Sequence, residues 1–238
     1  MVTLFALDSC GRAPSLPTSP SAGNPVLTYQ YAPTIPADYR QLAETALPEA
    51  IANLEDAMSW TLDHDITLDI LDSPGPPTAT GADRTITVHG RNSGWVHVSA
   101  TSRRATIAHE LFHLYQEEEG LTGPVWVREG AAEFFAFHSA YELAGTHTRS
   151  RILECNITSA LRQSTPPLEG LDTIHGEFPY GYATVGIHFL LNGAGIETLN
   201  HLRFGGIEAF GSPATEFYKR FEDYRQSWQS TQNAGCSR

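Results

Sequence analysis

Residues 106–115 read Thr-Ile-Ala-His-Glu-Leu-Phe-His-Leu-Tyr, so His109, Glu110 and His113 stand in a run that is otherwise apolar almost all round. A helix of that composition is buried. Buried polar groups are costly unless something satisfies them. His109 and His113 are four residues apart, which puts both imidazoles on one helical face, where they can share a cation. Glu110 flanks that face and can reach a water without itself being a ligand.

Working outward, Thr101 or Ser102 is a candidate cap for this helix, which runs to about Glu118 and is stopped by Gly120. The acidic cluster of Glu117, Glu118 and Glu119 reads as a solvated helix end. Upstream, residues 11–36 are rich in Pro, Ser, Thr and Gly and form a surface leader, with a first strand at 26–31. Apolar residues recur at helical spacing from 38 to 60, and Pro48 should kink or divide that helix. Residues 66–71 alternate as a half-buried strand, and 73–81 are a turn region. Residues 85–88 and 95–98 are expected to pair as a hairpin.

Downstream, Pro124 stands at a helix start, and the pattern is helical towards Gly145. Further helices are expected at 149–162, 182–191, 196–204 and 213–228, the last with Phe217, Phe221, Tyr224 and Trp228 on one stripe. Residues 164–179 read as a loop. The fold class is therefore α+β. A small N-terminal α/β lobe (26–120) carries a short mixed sheet and the His-bearing helix, and a mostly helical lobe (121–238) follows. Residues 1–25 are leader, and 26–238 form one domain.

With 238 residues, 41% hydrophobic and 18% charged, the chain describes a folded globule. A net charge of −12 and a single Lys (Lys219) exclude the clustered cations that a nucleic-acid surface needs. No apolar run reaches the length of about 20 residues that crosses a bilayer. Three widely spaced cysteines, Cys10, Cys155 and Cys236, leave pairing open. They and the Pro-Ser leader tilt the expected compartment towards an extracytoplasmic or secreted one.

His-Glu-x-x-His is the pattern of zinc hydrolases. A catalytic Zn²⁺ takes three protein ligands and leaves a position for water. The spacing that would supply a third His fails, because Gln116 and Glu119 stand at the Gly and His positions. The stretch Trp126-Val-Arg-Glu129-Gly-Ala-Ala-Glu133 supplies carboxylates one turn apart in an apolar helix, which repel unless a cation or an imidazole N–H neutralises them. Glu129 is assigned to zinc and Glu133 to the outer shell, accepting from a ligand imidazole. Exchanged roles, or Glu133 paired with an Arg, stay open. The other histidines lack a spacing that demands a metal.

The His109-Glu110-x-x-His113 helix followed by Trp-x-x-Glu129-Gly-x-Ala-Glu133 resembles the gluzincins, the zinc peptidases that include thermolysin and the aminopeptidase-like families. The resemblance covers about residues 26–230 of a peptidase-MA-like, zincin-like domain. It implies a metalloprotease: peptide-bond hydrolysis with Zn²⁺ as cofactor, Glu110 as general base and a peptide or protein as substrate. In that family a tyrosine hydroxyl holds the oxyanion. Tyr182 is the matching position, with Tyr180 as rival and His175 and His188 as further candidate donors. The Gly-x-Met-Glu-Asn segment of the aminopeptidases is lacking, so an endopeptidase is favoured. An extended substrate could add to an edge strand, expected at 95–98. Two other readings compete: a zinc-stapled, non-hydrolytic peptide-binding domain and a metal-free helical interaction module.

Overall fold

The computed structural model describes residues 25–91, 95, 97–121, 123–141, 167–173, 179–204 and 206–231. The helix expected at 149–162, His175, the three cysteines and the Trp228 side chain lie outside the described residues.

Strand β1 (Leu27–Tyr31) leads through helix α1 (Ala37–Met58) to β2 (Ile66–Leu71), and the two strands pair in parallel. A short β3 (Thr78–Thr80) turns back antiparallel onto β4 (Thr85–His89), and β4 pairs in parallel with β2. The sheet order is β1-β2-β4-β3, a mixed four-stranded sheet with β3 at one edge. Alternation sets the two faces. Ile66, Leu68, Ile70, Ile86 and Val88 are buried, while the residues between them are half-buried. These side chains share one core with α1 through Leu47, Ala50 and Leu54.

The expected hairpin pairs differently from the sequence reading. Trp95, His97 and Val98 form no strand: Trp95 is buried and helical, and His97 and Val98 lie in a bend. The antiparallel partner of β4 comes before it, from within the Pro- and Gly-rich residues 73–81. Those prolines mask a three-residue strand too short for its alternation to be read. Helix α1 also runs unbroken through Pro48, whose ring is exposed while Leu47 and Ala50 on either side are buried. Burial of its apolar stripe outweighs the one backbone bond the proline removes.

Helix α2 (Ala100–Glu118) begins two or three residues earlier than expected. Ser99, not Thr101 or Ser102, is its cap, with Oγ accepting from the Ser102 N–H at 3.1 Å. Its end matches the reading, since Gly120 takes φ +63° and the Leu121 N–H returns to the Gln116 carbonyl at 2.8 Å. The acidic end of α2 is not merely solvated. Glu117 accepts from the Gly81 N–H at 2.7 Å, and Glu118 pairs with His64. These contacts tie the helix end to the sheet side.

Helix α3 (Val125–Tyr141) follows directly and packs along α2. Two 3-10 segments, Leu168–Thr173 and Ile196–Phe204, flank helix α4 (Tyr180–Leu191), and a third, Gly206–Phe210, precedes helix α5 (Ala214–Thr231). Helix α4 lies close against α3 at a glycine: a Cβ at Gly130 would sit 2.7 Å from the Ala183 carbonyl oxygen. Trp126 stacks on Phe217 with ring centroids 5.7 Å apart, docking α5 onto α3. The described chain is thus α+β, a small mixed sheet beside a helical majority. Among the described residues no helix is long and apolar enough to cross a membrane.

Candidate metal centre

Helices α2 and α3 bring three donors together. The Nε2 atoms of His109 and His113 lie 3.1 Å apart, and Oε2 of Glu129 lies 3.4 Å from each. Zinc bonds of about 2.0–2.1 Å in tetrahedral array require donor separations near 3.3 Å. The three side chains therefore frame one face of such a tetrahedron, and they form a group that could hold a metal ion.

The opposite nitrogens of the two rings are each held by an acceptor. Nδ1 of His109 is 3.1 Å from Oε2 of Glu133, and Nδ1 of His113 is 2.8 Å from Oε1 of Gln116. Both outer partners are acceptors, so each Nδ1 carries the proton and each neutral ring turns its Nε2 lone pair inward. Two lone pairs and a carboxylate oxygen then face one point, an arrangement that repels until a positive charge enters.

Without a metal, that charge is a proton. Burial opposes an imidazolium at His109, but bonding to Glu129 and Glu133 outweighs it and lifts the ring to about 10. Burial likewise pushes the Glu129 carboxyl up, yet His109 and His113 overcome this and hold it well below the usual carboxylate range.

Glu110 is 5% exposed and lines the pocket beside His109. Burial raises its pKa, the two imidazoles oppose that shift, and Glu129 and Glu133 add to it. A carboxylate with raised pKa is a better proton acceptor than an exposed one. The pocket holds about 330 Å³. Pro76 and Pro77, which lead into β3, form one wall, and Phe137 and Tyr141 of α3 form another. Among the described residues its lining carries two carboxylates, Glu110 and Glu133, and no Lys or Arg.

Tyr182 is not at this site. It is 1% exposed, packs edge-on against Phe221 at 5.7 Å and lies in the helical core. Tyr180 is there instead, 42% exposed, lining the pocket with its ring 5.7 Å from His109. The physical reason is helical phase. Helix α4 starts at Tyr180 rather than Tyr182, and two residues along a helix turn the side chain to nearly the opposite face. His188 is also away from the pocket, stacked on Phe134 at 6.5 Å.

Sequence reasoning passed over Gln116 except as a motif mismatch. Its only signal was an amide three residues beyond His113 in a buried helix. Pro76 and Pro77 carried no signal as pocket walls. Comparisons with protein-family models, with curated proteins and with solved structures returned no match.

Proposed function

We propose that the chain is a zinc-dependent peptide hydrolase of zincin-like architecture, with His109, His113 and Glu129 as metal ligands and Glu110 as general base. The observation that carries this reading is the donor triangle of 3.1, 3.4 and 3.4 Å with Glu110 buried beside it. When bound, zinc would supply Lewis acidity, making a water more acidic and polarising a carbonyl.

The chain's own groups supply the rest. Glu110 takes the proton of the attacking water and returns it to the departing amine. Glu133 holds the His109 ring in the Nδ1–H tautomer. The Tyr180 hydroxyl, not that of Tyr182, is taken as the donor to the developing oxyanion, because the Tyr180 ring lines the pocket 5.7 Å from His109. β3 is an outer strand, and Pro76 and Pro77 run from the pocket into it, so an extended peptide laid along β3 would pass the cleft. This replaces residues 95–98 as the docking edge. The aromatic and proline walls favour an apolar substrate side chain, and two carboxylates in the lining disfavour an acidic one.

Zinc per chain, measured for wild type and Glu129→Ala purified side by side without added metal, tests the reading. About one zinc in wild type and a clear loss in the variant are expected. Glu110→Gln should then keep the zinc and lose at least ~100-fold in peptide turnover. A wild type that takes up no zinc, even after reloading, would leave the metal-free helical module as the better account.

A further inference from the structure

We infer that Gln116 is a positioning residue of the metal site: it fixes His113 as the Nδ1–H tautomer and anchors that ring to the backbone that delivers Glu129. The inference rests on the zinc reading above.

Gln116 is 2% exposed, and both ends of its amide are engaged. Its Nε2 donates to the Arg128 carbonyl oxygen at 3.0 Å, and its Oε1 faces Nδ1 of His113 at 2.8 Å. A carbonyl only accepts, so the amide nitrogen must be the end that meets Arg128. The amide oxygen is what remains for the imidazole. An amide oxygen cannot donate, so the proton of neutral His113 sits on Nδ1 and the Nε2 lone pair is left for a cation. That nitrogen is the one 3.4 Å from Oε2 of Glu129.

The same amide spans two helices. Gln116 lies on α2, three residues beyond His113, and Arg128 directly precedes Glu129 on α3. One side chain therefore sets the tautomer of one ligand and the backbone position next to another. The two imidazoles are supported unequally: a carboxylate stands behind His109 and a neutral amide behind His113. With an apolar side chain at 116, the His113 ring would be released to rotate or to carry its proton on Nε2, where it blocks ligation.

The test is zinc affinity of the full chain, by competition with a chromophoric chelator at fixed pH, beside thermal unfolding of the metal-free proteins. Gln116→Met removes both hydrogen bonds at similar volume and should weaken zinc by about 10- to 100-fold. Gln116→Ala carries the same expectation should the Met variant not fold. Gln116→Glu keeps an acceptor for His113 but cannot donate to Arg128. It should hold zinc within a factor of about three of wild type, because a carboxylate accepts from an imidazole N–H as well as an amide does. Its metal-free thermal midpoint should nonetheless fall along with that of Gln116→Met. Unchanged affinity in Gln116→Met overturns the inference. Equal loss in Gln116→Met and Gln116→Glu overturns it too, since the residue would then be only a tie between helices. A wild type that binds no zinc removes the zinc reading and this inference with it, a result distinct from a zinc-binding wild type with indifferent variants.

Discussion

Glu133 stands one helical turn beyond Glu129 and holds Nδ1 of His109 at 3.1 Å, so consecutive turns of α3 address opposite nitrogens of the same imidazole. The inner carboxylate faces the Nε2 side, and the outer one orients the ring. Glu133→Gln keeps an acceptor but removes a charge, and Glu133→Ala removes both. Zinc affinity should fall in the order wild type, Gln, Ala, with the Ala variant about 10- to 100-fold weaker. A chelator competition series reads this directly; an Ala variant as tight as wild type would return Glu133 to a purely structural role.

The protonation of His109 gives a pH signature to the metal-free protein. Its folded pKa of about 10 lies above the ordinary 6.5. A raised folded pKa means that the bound proton stabilises the fold fully below pH 6.5 and that this contribution is lost as pH rises to about 10. Urea midpoints of the metal-free protein should therefore decline across that window. The zinc-loaded protein should lack this component, because the metal has replaced the proton, and apparent zinc affinity should rise with pH over the same range. Parallel pH profiles for the two forms would count against the linkage.

The two tyrosines near the start of α4 should separate cleanly. Tyr180→Phe should keep zinc and lower kcat by about 100-fold, the size expected for one missing oxyanion donor. Tyr182→Phe should leave kcat near wild type, since Tyr182 is buried in the core and the ring that packs on Phe221 is kept. Steady-state kinetics on the two variants, with zinc content measured alongside, gives the comparison. The reverse ranking would move the donor back to Tyr182.

At the α3–α4 contact the expected effect is steric. Gly130→Ala gains about 1 kcal/mol of helix propensity, but its methyl would meet the Ala183 carbonyl oxygen at 2.7 Å. Overpacking of this kind costs about 1–3 kcal/mol. A net drop in the thermal midpoint is expected, together with weaker zinc binding, because Gly130 adjoins Glu129. A variant as stable as wild type would mean that the helices can part without consequence.

The grouping of His109 with His113 and the class of the fold were legible because they depend on local spacing. His109 and His113 share a face by helical geometry alone, and the apolar residues around them report burial. Glu129 and Glu133 were legible for the same reason. Tyr180 and Tyr182 were not separable, since both fit a helix and only its starting phase decides which one meets the pocket. Strand β3 was hidden by the prolines that precede it and by having three residues. Gln116 was visible only as a departure from a different motif, and its two partners emerged once α2 and α3 were placed side by side.

Among the described residues, the three grouped donors, and the acid and amide behind them, fall between positions 109 and 133 on two helices joined by one short connection. Closing so short a loop demands little chain entropy, and each doubling of its length would add only about 0.6 kcal/mol. The contacts that define the centre are thus local in the chain, while Pro76 and Pro77 on one side and Tyr180 on the other reach the pocket from distant segments. On the proposed reading, a helical hairpin alone would carry the coordination chemistry. The distant segments would then bear on which molecules reach it, and changes in them should alter choice of substrate while the proposed ligand set stays intact.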